Sequence, residues 1–520
     1  MQASSPQSTD YPSTKSRKRA FSESHQQNGV YEGASQSDVM QTLAQGVTYN
    51  FIANEFVLSK SRVWTKVYDP ASQNFNTRVP ESTDVEVQNA VAAAAAAQPA
   101  WAALTLSKRR SLLLNLLNVM KQNSSKIRHC LCVEVGKTLV DAEAEFERAL
   151  DSIETACTVS NEMSGIHHLH QSAEVHTIHQ PLGVCLTVSP FNFPFMIPLW
   201  SIPYALITGN TVILKPSEKT PSATQALAEC FYRAGFPSGV FNVVNGGASI
   251  VNTLLSQPAI RAVSFVGSEA AGERVYDHAK ATRKRVQVEC NGKNHGVVLE
   301  DASKMKALYA IAGSAFGAAG QRCMSLSVAV FVGSTKEWID DLVTLAKSLV
   351  IGCGLDPLVE VGPLISQAAK SRVEEVITSA ESEGAKVVLD GRNYHVPDYP
   401  NGNFIGPTIL TKVQPYMSCY QEEIFGPVLC CVEVNTLEEA IQLINENRYG
   451  NGCTLFTSSP VNAQIFQRLV NVGQVGINVP ILAPSGPVLR TANKDSFLGD
   501  HVRSSWQFFA MTKTVTSLWS

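Results

Sequence analysis

Thr211-Val-Ile-Leu-Lys-Pro-Ser-Glu218 is a short apolar, β-branched run that ends by releasing a lysine and a glutamate three residues apart. Such a run reads as a strand buried on both faces, the pattern of a parallel sheet, and ligand crevices open at the carboxyl ends of such strands. A solvated Lys and Glu on a loop is the plain alternative. Working outward, Val184 to Val188, Phe241 to Val244, Ala262 to Val266 and Arg285 to Val288 repeat the run, with helical segments such as Ala223 to Ala234 between them. That alternation predicts βαβ units. A second series runs from Gly296 to Val479, with strands near Ser327 to Val332, Lys386 to Leu389, Val428 to Val434 and Gly452 to Thr457. Two α/β domains are therefore expected. Thr83 to Met163 is helical in pattern, and Pro99 is expected to end or restart a helix.

No Gly-x-Gly-x-x-Gly opens a helix, so a dinucleotide would have to be held in another way. Val263-Ser-Phe-Val-Gly-Ser268, followed by Gly272, is a strand running into a small-residue turn at a helix start, where backbone N–H groups can meet a phosphate. Many βα turns end in Gly-Ser without doing so.

The chain has 520 residues, 44% hydrophobic and 17% charged, which is too long for one core. A formal charge of -3 gives no general field for nucleic acid, and no apolar run approaches the length of a membrane span. A small-molecule partner is expected. The twelve cysteines include no CxxC pair, which suits a reducing compartment. Residues 1–45 are rich in Ser and Gln and read as a disordered arm; the basic cluster at Lys15, Arg17, Lys18 and Arg19 suits a nuclear address, a worn presequence or a solvated charge run. His167, His168, His170, His176 and His179 invite a zinc reading. Alternation over Val175 to His179 reads instead as a half-exposed strand, and no metal is expected. The tail from Val502 to Trp519 alternates too, as a strand that could pair with a neighbouring subunit.

Phe316-Gly-Ala-Ala-Gly-Gln-Arg-Cys-Met-Ser325 presents Cys323 beside Arg322 in a Gly-rich run. Small residues allow close backbone approach, and a neighbouring cation would favour the nucleophilic thiolate. A lone cysteine in such a turn is more often structural. Its company decides otherwise: Ser189-Pro-Phe-Asn-Phe-Pro194, Gly209 to Glu218, Phe265-Val-Gly-Ser268, Gly292-Lys-Asn-His295, Glu422-Glu-Ile-Phe-Gly-Pro427 and Thr514-Val-Thr-Ser-Leu-Trp519. Together, and in this order, these stretches resemble the aldehyde dehydrogenase superfamily over nearly the whole chain after residue 45. The Phe-Asn-Phe-Pro, Lys-Asn-His and Gly-Gln-Arg-Cys-Met forms resemble its methylmalonate-semialdehyde dehydrogenase family.

The resemblance implies two Rossmann-like α/β domains with a small β oligomerisation extension. Residues 46–163 and 183–289 would bind NAD, 290–479 would be catalytic, and 164–182 with 480–520 would supply oligomerisation strands and the C-terminal segment. Cys323 would add to an aldehyde, pass its hydride to NAD and keep a thioester, with Asn192 holding the oxyanion. Lys215 and Glu218 would hold the adenosine ribose, Ser268 a phosphate and Glu423 the nicotinamide ribose, while Ser189, Phe191, Lys219 and Cys290 would line the channel. Arg148 and Arg322 would grip the carboxylate of a small semialdehyde, methylmalonate or malonate semialdehyde, since guanidinium suits that geometry. The thioester would pass to coenzyme A with decarboxylation, in valine catabolism, in a mitochondrial tetramer; a cytoplasmic home is the alternative.

Three positions depart from that family. Glu289 supplies an acid that hydrolytic superfamily members use to activate water, so water and coenzyme A both stand as acceptors. Asn291 replaces a usual Gly, and Asn tolerates positive φ. Arg490 stands where an aromatic pocket wall is expected and would recruit a more acidic substrate or mark a decayed pocket. A non-catalytic nucleotide-binding homologue is the reading from another class.

Overall fold

In the computed structural model, which describes residues 46–159, 162–170, 173–481, 491–499 and 505–519, the Thr211–Lys215 strand is buried at every position. It belongs to an eight-stranded sheet with a parallel centre. The chain enters at Val184–Val188, steps outward through Thr211–Lys215 and Phe241–Val243, then crosses back to Ile260–Val266 and Arg285–Glu289 on the other side. Antiparallel strands finish the edges: Asn50–Ile52 and Glu55–Val57 at one, Phe497–Gly499 at the other. The reversal of direction leaves a crevice between the carboxyl ends of Val184–Val188 and Ile260–Val266.

The second sheet has seven strands in the order Lys386–Leu389, Thr408–Thr411, Val428–Val434, Leu326–Val332, Asn294–Val298, Gly452–Phe456 and Gln474–Ile477. All but the first run parallel. Its strands are largely buried, as their apolar composition demands.

Four helices, Asp84–Ala103, Leu106–Gln122, Ser124–Val135 and Leu139–Thr158, make up the early segment. Pro99 does not break the first, contrary to expectation. Trp101 is 1% exposed and donates Nε1–H to the Leu206 carbonyl at 3.1 Å, so packing against helix Ile202–Ile207 holds the last turn in place. No single described helix is long and apolar enough to cross a membrane; the first two are so only when taken together, as a pair bent by 119°.

Ala173–Pro181 pairs antiparallel with His167–His170 on one side and Ala510–Ser517 on the other. His179 Nδ1 lies 3.1 Å from Thr512 Oγ1, and its ring meets Trp506 edge-on. Among the described residues no cluster of His, Cys, Asp or Glu is placed to hold a metal ion. The expected disordered arm over residues 1–45, and Arg490, lie outside the described residues.

Candidate active site

The crevice at the first sheet's carboxyl ends opens into a cavity of about 590 Å³ that reaches from Glu218 and Ser268 to Asn192, Glu423 and Cys323. Lys215 Nζ donates to the Gly246 carbonyl at 2.9 Å and stands 3.7 Å from Glu218. Burial lowers the Lys215 pKa, and Glu218 and Glu81 oppose that. Lys219 Nζ sits over the Phe191 ring at 5.1 Å, and that ring meets Phe425 edge-on. Ser268 caps Glu269–Ala281 with extended backbone and no side-chain capping bond. Asn291 does not adopt positive φ; its Oδ1 accepts the Glu269 N–H at 3.2 Å, so the amide occupies the helix start instead.

The second sheet contributes through the amino ends of its strands. Glu423, just before Val428–Val434, accepts the Gly292 N–H at 3.0 Å, and burial pushes its carboxyl up to about 7. Its segment is tied down by two cations, one buried and one exposed: Lys293 Nζ donates to the Cys419 and Glu422 carbonyls at 2.6 and 2.7 Å, and Arg372 to those of Ile424 and Glu423 at 2.6 and 2.7 Å.

The nucleophile loop begins where helix Lys304–Phe316 stops. Ala318, Ala319 and Gly320 follow with φ of 50°, 53° and 70°. Left-handed backbone costs a residue with a Cβ roughly 1–2 kcal/mol. At Gly320 a Cβ would lie 2.0 Å from the Gly426 carbonyl oxygen, so only glycine fits there. The Cys323 carbonyl accepts from Asn294 Nδ2 at 2.8 Å and Asn451 Nδ2 at 2.9 Å. Asn192 Nδ2 donates to the Gln321 carbonyl at 3.0 Å, two residues from the sulfur. One amide N–H is thereby fixed, which aims the other.

Among the described residues, three cavities meet at Cys323. The large one is described above. A second, of about 330 Å³, is bounded by Arg148, Phe193, Trp200, Tyr309 and Arg322. The third, a narrow space, brings Glu289, Cys290, Asn451 and Phe497 to the same sulfur. Burial, then Glu423 and Glu289, push the thiol up to about 12, against the pull of the Cys323 and Met324 backbone N–H groups. The expected thiolate-favouring effect of Arg322 is corrected here: its guanidinium is paired with Asp141.

Helix Leu139–Thr158 starts on Thr138, whose hydroxyl accepts the Asp141 N–H at 3.1 Å, and sends three charged side chains into the site. Asp141 holds Arg322 and the Ala318 N–H. Glu145 accepts the N–H groups of Phe195 and Met196, just past Asn192. Arg148 faces the second cavity; burial and the charge of Arg322 lower its pKa. Positions 141, 145 and 148 share one helical face. Sequence reading singled out only Arg148. The signal for Glu145 was present, since it falls in the stripe of Ala142, Phe146, Ala149 and Ile153, where a charge must have a buried partner. Asn451 gave no such signal.

The arrangement suits a dinucleotide at one side of a cysteine and a small anionic substrate at the other. Ser189 Oγ, on the wall of the large cavity, is buried without a hydrogen-bond partner among the described residues, and the half-buried Glu423 carboxyl faces the same space. Both fit a polyhydroxylated nucleotide.

Residues 56–516 match the aldehyde dehydrogenase family. A Dictyostelium discoideum protein named probable methylmalonate-semialdehyde/malonate-semialdehyde dehydrogenase, acylating, mitochondrial, is 46% identical over 475 residues, covering 90% of each chain. Its Bos taurus counterpart is 44% identical over 474 residues, 90% of this chain and 88% of that one. A putative methylmalonate-semialdehyde dehydrogenase from Sinorhizobium meliloti, solved in complex with NAD, superposes with a TM-score of 0.89 at 37% identity, covering 91% of this chain and 98% of that one. The Oceanimonas doudoroffii enzyme of that name gives 0.89 at 36% identity, with the same coverage. In sequence and in fold, this chain belongs to the aldehyde dehydrogenase family.

Proposed function

We propose that the protein oxidises methylmalonate or malonate semialdehyde with NAD and transfers the acyl group to coenzyme A, losing carbon dioxide from the β-carboxylate. The observation that carries this is the junction at Cys323 of a nucleotide-sized cavity and a smaller one bearing Arg148 and Arg322. The relatives named for this acylating reaction support the same reading. Cys323 adds to the aldehyde carbon, and the second N–H of Asn192 meets the oxygen as it becomes negative. Losing one such donor commonly costs about 2.7–4 kcal/mol of transition-state stabilisation. NAD, when bound, accepts the hydride, and the acyl group stays on Cys323 as a thioester. Lys215 and Glu218 hold the adenosine ribose, Ser268 a phosphate and Glu423 the nicotinamide ribose. Ser189, Phe191, Lys219 and Cys290 shape the channel. Arg148 and Arg322 give the aldehyde pocket its preference for a carboxylate.

The acceptor is a thiol, which attacks a thioester with little assistance. Glu289 motivates a second reading, since it faces the sulfur and could activate water, giving a dicarboxylic acid. Purified protein with NAD and malonate semialdehyde, with and without coenzyme A, separates the two. Acetyl-coenzyme A formation that depends on the thiol supports acyl transfer; undiminished NADH production without it supports hydrolysis. No NADH from any aldehyde in a panel would leave a nucleotide-binding homologue.

We also place the protein in mitochondria, as its relatives are named, with the cofactor and catalytic domains divided near residue 290. Ala510–Ser517 has one edge without a strand neighbour among the described residues, and it is proposed as the strand through which subunits pair.

A further inference from the structure

Another cavity, of about 340 Å³, shares Glu218 and Lys219 with the large one and lies on the side away from Cys323. Its other walls come from strand Trp64–Tyr68, the start of helix Gln367–Ser382 and Asn403. Ser366 caps that helix by accepting the Ala369 N–H at 3.2 Å, which leaves the Gln367 and Ala368 N–H groups without an acceptor among the described residues. Lys66 and Lys219, both exposed, bring two ammonium groups to the same space. Asn403 is 2% exposed, yet its side-chain amide makes no hydrogen bond to any described residue. The carboxylate on the wall, Glu218, stands 3.7 Å from Lys215.

We propose that this cavity is an anion site for a phosphate monoester, and that the phosphate it takes is the one on the adenosine ribose of coenzyme A. The choice of coenzyme rests on the proposed acyl transfer; the anion site does not.

A helix start with free N–H groups favours negative charge, and two ammonium groups beside it add to that preference. The Asn403 amide points the same way, because a buried polar group without a partner is completed in most proteins by water or a bound group. Water can complete an amide, but it gains nothing from the two cations. NAD and coenzyme A both carry an adenosine ribose, and coenzyme A bears on it a phosphate that NAD lacks. With Lys215 and Glu218 holding that ribose by its hydroxyls, a phosphate in their place would meet the Glu218 carboxylate at close range, like charge against like. It has to turn away, and past Lys219 the wall changes from a carboxylate to donors. Lys219 stands at that turn: its Nζ lies 5.1 Å from the centre of the Phe191 ring in the large cavity, and it borders the smaller one. The thiol arm is left on the side that runs down to Cys323. NAD, with no charge to place there, leaves the site unused.

The test uses Lys66→Glu and Gln367→Glu in the full-length protein. Both side chains are exposed, and an acid in the first turn suits a helix, so folding is kept. Acyl transfer to coenzyme A is compared with transfer to dephospho-coenzyme A, which lacks only the ribose phosphate. The parental protein should favour coenzyme A by about tenfold or more in kcat/KM. Each variant should bring the two thiols to within about twofold of each other and leave KM for NAD parental. Equal use of the two thiols by the parental protein, or variants that keep its preference, would overturn the assignment to coenzyme A. A binding arm needs no turnover: adenosine bisphosphate, which carries the same ribose phosphate, is titrated into the cofactor-free protein beside AMP and inorganic phosphate. The bisphosphate should bind about tenfold tighter than AMP and lose that margin in Gln367→Glu. Inorganic phosphate bound as tightly as the bisphosphate would make this a site for free phosphate and overturn the coenzyme assignment. No margin over AMP together with no binding of inorganic phosphate would overturn the anion site itself. NADH formed at an undiminished rate without any thiol would refute the acyl-transfer reading, while the binding arm still decides the site.

Discussion

Lys137 and Glu145 form an ion pair whose side chains are 1% and 0% exposed, and the Glu145 carboxylate also receives the Phe195 and Met196 N–H groups at 3.0 and 3.1 Å. Lys137 Nζ lies 3.7 Å from the centre of the Phe193 ring. The segment that carries Asn192 is thus moored to a charged pair inside the protein. Removing one partner of a buried pair leaves the other charge uncompensated, at about 3–5 kcal/mol. Glu145→Ala should lower the unfolding midpoint by an amount of that order and reduce kcat through misplacement of Asn192. Lys137→Met combined with Glu145→Leu should recover part of the stability but not the kcat, because the two N–H groups remain without an acceptor. Thermal unfolding and steady-state rates of the two variants check this.

The Cys323 thiol pushed up to about 12 makes the resting protein a thiol at neutral pH. Iodoacetamide reacts with thiolate, so its rate at Cys323 in the cofactor-free protein should climb about tenfold per pH unit from pH 7 to 9 without a plateau. Glu289→Gln removes one of the two carboxylates that raise the pKa and should speed alkylation at any fixed pH in that range. A rate already flat across the range would mean the sulfur is ionised at neutrality.

The sheets were readable because strands buried on both faces cannot avoid an unbroken apolar run: all five residues of Val184–Val188 are buried, as are those of Thr211–Lys215. Expected and observed ends differ by one or two residues, as where the strand expected from Ala262 begins at Ile260. Cys323, Asn192 and Glu423 were found through motifs, and the fold brings them to one cavity. Asp141 escaped because its partners lie 177 and 181 residues away and its local setting, a helix rich in acids, looks like a solvated face. The ion pair of Arg322 escaped for the same reason: adjacency in sequence shows it beside the sulfur, while a distant carboxylate sets its orientation. Pro99 shows the converse, a local breaker outweighed by the burial of Trp101.

Asn294 also serves a purpose its motif did not disclose. Its Nδ2 bonds the Cys323 and Ser325 carbonyls at 2.8 and 2.9 Å, and its Oδ1 accepts the Gly452 N–H at 3.1 Å, tying the nucleophile to the neighbouring strand start. Asn294→Ala strands two buried backbone groups, the Ser325 carbonyl and the Gly452 N–H, at about 1–3 kcal/mol for each group left unsatisfied, and leaves the Cys323 carbonyl only its Asn451 donor. Asn451→Ala leaves the Cys323 carbonyl one of its two donors. The expected order is a severe loss of kcat and stability in Asn294→Ala and a milder loss of kcat in Asn451→Ala, measured by steady-state kinetics and thermal unfolding.

Glu423 should make the free protein's stability depend on pH. Burial raises its carboxyl from 4.5 to about 7. Between those values the folded protein keeps a proton that the unfolded chain has released, so stability falls as pH rises through the window and levels off above about 7. The shift corresponds to about 3 kcal/mol over the full window. Glu134, also raised to about 7 by burial, adds in the same direction despite its bonds from Ser222 and Asn76. The cofactor-free protein should therefore unfold at a lower temperature at pH 8 than at pH 5.5. Glu423→Gln, which cannot ionise but can still accept the Gly292 N–H, should flatten that difference without abolishing it, because Glu134 remains. An unchanged slope in the variant would mean that Glu423 keeps an ordinary carboxylate pKa, and with it enough water to make its cavity wet.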